Sequence, residues 1–184
     1  MGTYYETVVD RDALTTEEAQ RLARSVLDWL IAEEVIMAET DDCLLSDSPG
    51  HRPGPRYMAA LENLADRQFL TLRTNGVEVR TTREVTLNNQ GQFAGVICPA
   101  CAQITPQNAL WSDASTDWHG GGTGELVCSH CAHRESVTQW EHIDPMGFGT
   151  LCFIFWNWPA LSAAFVAALS QRLAHRIIVI SGKE

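Results

Sequence analysis

Hydrophobic and polar positions change period several times along the chain. Residues 4–9 are β-branched and aromatic and predict a first strand. The period then lengthens: Ala19, Leu22, Ala23, Val26, Trp29 and Leu30 fall on one helical face, while Arg21, Arg24, Asp28 and Glu33 fall elsewhere. Thr15, with Glu18 three residues on, predicts the N-terminal cap of that helix. Residues 35–37 predict a short second strand. Residues 47–55 contain three prolines and two glycines and read as a loop. A shorter helix is expected over 56–66. Asn75-Gly76, between 69–73 and 77–81, is a hairpin signal.

Residues 151–158 are apolar at both alternating positions, as in a strand buried on both faces of a sheet. Ser162 is placed to cap a last helix with Phe165, Val166, Leu169 and Leu173 as its core stripe. Arg172, His175 and Arg176 lie where cations complement the C-terminal dipole. Residues 177–180 predict a final strand. This order predicts an α+β fold, a ferredoxin-like βαβ…βαβ sandwich with helices on one face of the sheet. Residues 1–92 and 142–184 form the expected main domain.

Residues 93–141 have a different texture and predict an inserted zinc-ribbon-like module. Cys98-Pro99-Ala100-Cys101 and Cys128-Ser129-His130-Cys131 are two CxxC knuckles separated by 26 residues. A CxxC turn points two sulfurs at one place, and two such turns supply the tetrahedral four-thiolate shell of structural Zn²⁺. The glycine-rich run 120–124 lengthens the connection between them. A single redox CxxC, a pair of disulfides and an Fe–S cluster fit the paired knuckles less well. His119, His130 and His133 are alternative ligands for one position. Cys43 and Cys152 read as buried free thiols. Trp111, Trp118 and Trp140 lie in or beside the module. They either pack against the main domain or form a contact patch, and they are the candidate partner-binding residues.

Composition narrows the function classes. The 184 residues are 45% apolar and 20% charged, enough for one domain with a small appendage. The net charge of -10 is the wrong sign for a general phosphate-backbone binder. It is concentrated in residues 1–50, which carry 12 acidic and 3 basic side chains. Residues 98–145 carry six acidic side chains and a single basic one, Arg134, which argues against a nucleic-acid-associated zinc ribbon. An electropositive protein partner fits better.

No secretory pattern opens the sequence, so a cytoplasmic location is expected. Residues 145–171 carry no charge, but Trp156-Asn157-Trp158-Pro159 interrupts any membrane span. Walker, GxSxG and HExxH motifs are missing. His51-Arg52 could hold an anion. Glu141, His142 and Asp144 could serve acid–base chemistry, though no nucleophile accompanies them.

Two C-terminal stretches carry a family resemblance: Phe155-Trp156-Asn157-Trp158-Pro159-Ala160-Leu161-Ser162, and His175-Arg176-Ile177-Ile178-Val179-Ile180-Ser181-Gly182-Lys183. With Asp10-Arg11-Asp12-Ala13-Leu14-Thr15, they make the chain resemble an uncharacterised family of small proteobacterial proteins. Members have been labelled sugar-transporter ATPases, a label at odds with the missing Walker motif. The resemblance implies no established activity. The expectation is a non-enzymatic, zinc-stabilised protein-binding module, for instance a bacterial immunity protein neutralising a basic toxin. The alternatives are a small hydrolase, with a cleft lined by His51, Glu141 or His142, and the nucleic-acid ribbon.

Overall fold

A computed structural model of the chain describes residues 2–88, 94–106 and 109–184. The strands are β1 (Tyr4–Asp10), β2 (Ile36–Asp41), β3 (Gly50–Pro53), β4 (Val77–Arg80), β5 (Glu84–Leu87), β6 (Val96–Ile97) and β7 (Ile104–Thr105). They continue with β8 (Glu125–Val127), β9 (Arg134–Ser136), β10 (Glu141–His142), β11 (Met146–Gly149), β12 (Leu151–Trp156) and β13 (Ile177–Lys183). The helices are α1 (Thr16–Ala32), α2 (Ala109–His119) and α3 (Ala163–Leu173). The fold is therefore mixed α+β. Its main sheet has six strands in the order β13-β1-β12-β4-β3-β2, with antiparallel neighbours throughout.

α1 and α3 begin at the expected caps. Thr15 Oγ1 accepts from Glu18 N at 3.1 Å, and Ser162 Oγ accepts from Phe165 N at 3.2 Å. The apolar stripe of α1 (Ala19, Leu22, Ala23, Val26, Leu30) and that of α3 (Phe165, Leu169, Leu173) share one core with Val8, Val77, Leu151, Phe153 and Phe155. Phe153 and Phe155 are wholly buried, which stabilises the fold by about 2–3 kcal/mol each. On the other face of β12, Cys152, Ile154 and Trp156 are buried as well. Its alternation therefore shows no polar side, as expected of a central strand. The charge-free stretch 145–171 is β11, β12 and most of α3. Among the described residues no helix is long and apolar enough to cross a membrane.

The second face of the sheet is covered by the β5–β11 pair. A Cβ at Gly147 would lie 2.8 Å from Val9 Cγ2, and one at Gly149 2.4 Å from the Asp10 carbonyl oxygen. Only glycine at both positions lets β11 cross β1 in direct contact. Asp10 is fully buried at the end of β1. Its carboxylate accepts from the amides of Asp12 and Ala13, and from His175 Nδ1 at 2.8 Å. The start of the α1 connection is thereby tied to the end of α3.

Three local expectations are corrected, and the second strand forms at an edge of the sheet. This strand is β2, and it lies outermost because five of its six residues are exposed and polar or weakly apolar. The place beside β12 goes to β4, whose Val77 and Glu78 tolerate burial. The proline-rich segment is a loop only in part. Gly50–Pro53 pairs as β3, with Pro49 before it and Pro53 at its end, where the missing amide costs least. The helix expected over 56–66 is one 3₁₀ turn, Tyr57–Ala60, since Glu62, Asn63 and Leu64 offer no apolar stripe to bury. Asn75-Gly76 does not form a hairpin. Asn75 is buried, and its amide donates to the Phe69 and Leu70 carbonyls of the Gln68–Thr71 3₁₀ turn. Gly76 admits the close approach of Cys43, whose Sγ would lie 2.3 Å from a Cβ there.

Candidate metal centre

Each CxxC knuckle is the turn of its own small hairpin. Cys98 and Cys101 lie between β6 and β7, and Cys128 and Cys131 between β8 and β9. The two turns repeat one backbone pattern. Cys98 N donates to Gln103 O at 3.0 Å, and Ala102 N to Cys98 O at 2.9 Å. Cys128 N donates to His133 O at 2.8 Å, and Ala132 N to Cys128 O at 3.0 Å. Ala102 and Ala132 both take left-handed backbone, at φ 58° and 60°. Alanine tolerates that region at a cost of about 1 kcal/mol, and the turn curls the chain around its sulfurs.

These turns bring the four sulfurs within 4.8 Å of one another. Cys98 and Cys131 Sγ are 3.8 Å apart, and Cys101 and Cys128 Sγ 3.7 Å apart. A tetrahedron with Zn–S bonds of ~2.3 Å has edges of about 3.8 Å. The geometry could therefore hold a metal ion. None of the four is disulfide-bonded, and Cys98 and Cys128 are buried, Cys101 half-buried and Cys131 exposed. His119, His130 and His133 stand outside the cluster.

The thiols perturb one another's ionisation. Desolvation opposes the Cys128 thiolate, but the amides of Cys131 and His130 and the neighbouring thiols overcome it and bring the group down to about 6. The Gln103 amide favours ionisation of Cys101, but desolvation and the other three thiols outweigh it and push this thiol up to about 12. One thiolate forms readily at this point and a second is resisted. A cation held by the four sulfurs would remove that resistance, and its binding would release protons.

The 26-residue connection between the knuckles is more than a glycine loop. It carries α2, which the sequence reading missed although Trp111, Ala114, Ser115 and Trp118 recur at i, i+3, i+4 and i+7. This stripe, with Val96, Leu126, Val137, Trp140, Met146 and Phe148, builds a second core around Cys98 and Cys128. The contact-patch reading of the three tryptophans is thereby corrected. Trp111, Trp118 and Trp140 are 5%, 9% and 1% exposed, and they share one core with other module residues and with Val85, Met146 and Phe148. A ribbon alone could not have enclosed them; α2 and β11 supply the missing walls. Trp118 meets Phe148 edge to face at 5.2 Å. The expected module boundary at residues 92–93 lies outside the described residues, while Val85, Met146 and Phe148 of β5 and β11 contribute to the module's core.

The remaining candidates are dispersed. Arg52 is held by Asp41 Oδ2 at 2.5 Å, Asn75 Oδ1 at 2.9 Å and the Asp42 carbonyl at 3.2 Å, surroundings that disfavour an anion at His51-Arg52. His51 Nδ1 lies 2.9 Å from the Met37 carbonyl oxygen. Glu141, His142 and Asp144 line a cavity of about 280 Å³ together with Arg11 and Gln139, and His51 is not part of it. Burial, and then the charge of Arg11, bring the His142 imidazole down to about 4. Cys43 and Cys152 are buried free thiols, and burial pushes Cys152 up to about 12.

No protein-family model, curated protein or solved structure matches the chain.

Proposed function

We propose that Cys98, Cys101, Cys128 and Cys131 hold one structural Zn²⁺, and that the chain is a cytoplasmic, non-enzymatic protein-binding module. The observation that carries this reading is the closed cluster. Four sulfur ligands at tetrahedral spacing leave no open position for substrate, which is the signature of a structural site. Zinc bound there supplies a cross-link between the two knuckles and no chemistry of its own. In this reading the module is zinc-ribbon-like with a helix added. The main sheet is ferredoxin-like: the order β13-β1-β12-β4, with α1 and α3 sharing one core, is the arrangement two split βαβ units give. β3 and β2 extend it at one side.

The partner is a basic protein, and a toxin neutralised by its immunity protein is the concrete form. Support comes from the acidic stretch around β2, where Glu33, Glu34, Glu39, Asp41 and Asp42 are all exposed. Arg56, Arg52 and Arg73 pair with Glu33, Asp41 and Asp42, and the acidic groups still outnumber them. Such a surface speeds encounter with a cationic partner. The hydrolase alternative is less well supported. Among the described residues the His142 cavity is lined by no thiol or hydroxyl nucleophile, and His51 lies outside it. Purification from the native host, followed by deletion of the gene, tests the reading. Co-purification of a basic protein that kills the deletion strain is expected. Loss of the gene without self-intoxication, and no co-purifying protein, would overturn the immunity form.

A further inference from the structure

The main sheet ends in two edges of opposite character. β2 is short and polar, its register with β3 shifts between Ile36 and Thr40, and it carries Glu39 and Asp41. These features discourage strand addition. β13 keeps an unbroken register and carries no carboxylate, and its one charged residue is Lys183. The strand runs seven residues along β1, from Ile177 opposite Asp10 to Lys183 opposite Tyr4. Ile177, Ile178 and Val179 stay half-buried, and nothing among the described residues pairs with the far side of this strand.

The hydrogen bonds fix which groups point outward. Thr3 and Glu184 exchange both backbone bonds, at 2.7 and 2.8 Å, and Arg11 N donates to Arg176 O at 3.0 Å. Even-numbered residues of this segment therefore bond to β1. By the alternation of an antiparallel ladder, Ile177, Val179, Ser181 and Lys183 turn their amides and carbonyls to the open edge.

We propose that this edge pairs with β13 of a second copy of the chain, antiparallel about a two-fold axis at Ile180. That register is self-complementary. It sets Ile177 opposite Lys183 and Val179 opposite Ser181, so every outward-facing residue meets another outward-facing residue. Ile180 meets Ile180 at the axis, and Arg176, which pairs with Asp12 of its own chain, lies opposite Glu184 of the other copy. Moving the axis by one residue leaves an outward group at one end without its partner within the strand. The two sheets become one continuous sheet, an isologous closed dimer. This inference is independent of the zinc and of the basic partner, and it leaves the acidic β2 edge free.

Light scattering of the full zinc-replete chain at tens of micromolar, joined to amide exchange, tests it. The expected mass is twice the 20.4 kDa of the chain. Amides of Val179, Ser181 and Lys183 should exchange at least ~10-fold more slowly at high than at low protein concentration. Val179→Pro removes an outward amide without touching the β1 ladder, and should give a folded monomer. Glu184→Arg faces the partner's Arg176 twice and should weaken association by roughly 10-fold. A monomer at these concentrations would overturn the inference, and so would a dimer that folded Val179→Pro leaves intact. If Val179→Pro does not fold, the wild-type amide pattern decides, and concentration-independent exchange at these amides refutes the proposal.

Discussion

Arg83→Ala should loosen the four-cysteine module from the sheet. Arg83 lies in the connection between β4 and β5, and its Nη1 donates to the carbonyls of Trp118 and Gly122, at 2.7 Å each. Its guanidinium also stands 5.1 Å from the centre of the Trp118 ring. The arginine thus closes the C-terminal end of α2, where helix carbonyls lack intrahelical partners. A bond from a charged donor is worth about 1.5–3 kcal/mol net, and two from one nitrogen do not add fully. The ring contact adds about 0.5–1 kcal/mol at a partly exposed site. Truncation should therefore cost about 3 kcal/mol, with Arg83→Lys recovering about half, since an ammonium keeps the charge but loses the planar fork. Urea unfolding gives the total, and hydrogen exchange gives its location. Amides of α2 should lose protection first, and those of β1 and β12 last. A cost below about 0.5 kcal/mol, or protection lost evenly over the whole chain, would refute the latch.

Other perturbations follow from single contacts. The unfolded chain protonates His142 near 6.5 and the folded chain near 4, so stability should fall as pH drops through this window and level off below it. The loss is at most about 3 kcal/mol, and a His142→Phe variant that keeps the same slope in pH-dependent denaturation would contradict it. Glu78, nearly buried, accepts from Trp156 Nε1 and Arg80 Nε, at 2.8 Å each. Its replacement by alanine leaves both donors short of a partner and should cost about 2–4 kcal/mol in thermal or chemical unfolding. Gly149→Ala drives a methyl group against the Asp10 carbonyl and should cost at least about 2 kcal/mol. Gly121→Ala, with nothing within 4 Å but φ at 99°, should cost about 1 kcal/mol; equal costs would count against the close β11–β1 crossing.

The sequence exposed the parts that depend on local chemistry. Thr15 and Ser162 mark helix starts because a hydroxyl beside an orphan amide works in any tertiary setting. The double-sided apolarity of β12 marks a central strand because burial on two faces admits no polar alternation. The knuckles are legible for the same reason, since spacing alone aims two sulfurs at one point. What escaped depends on partners distant in the chain. Asn75-Gly76 has hairpin composition, yet Asn75 is claimed by Arg52, Trp158 and the Phe69 carbonyl. Gly50–Pro53 reads as a loop until β2 and β4 pair with it. The three module tryptophans invited a surface reading because the walls that bury them, α2 and β11, had not been placed there. The α2 signal is present in the spacing of Trp111, Ala114 and Trp118, and the glycine run follows the helix after His119.

Metal stoichiometry separates a closed structural zinc site from cysteines that hold no metal. Protein purified without chelator or affinity metal should contain one zinc per chain by elemental analysis, with no iron chromophore. Cys101→Ser should lose most of that zinc and open residues 94–142 to protease, while α1 and β13 stay protected. Far less than one zinc in the unmodified chain, with a disulfide joining Cys98 to Cys128 or Cys101 to Cys131, would contradict the account.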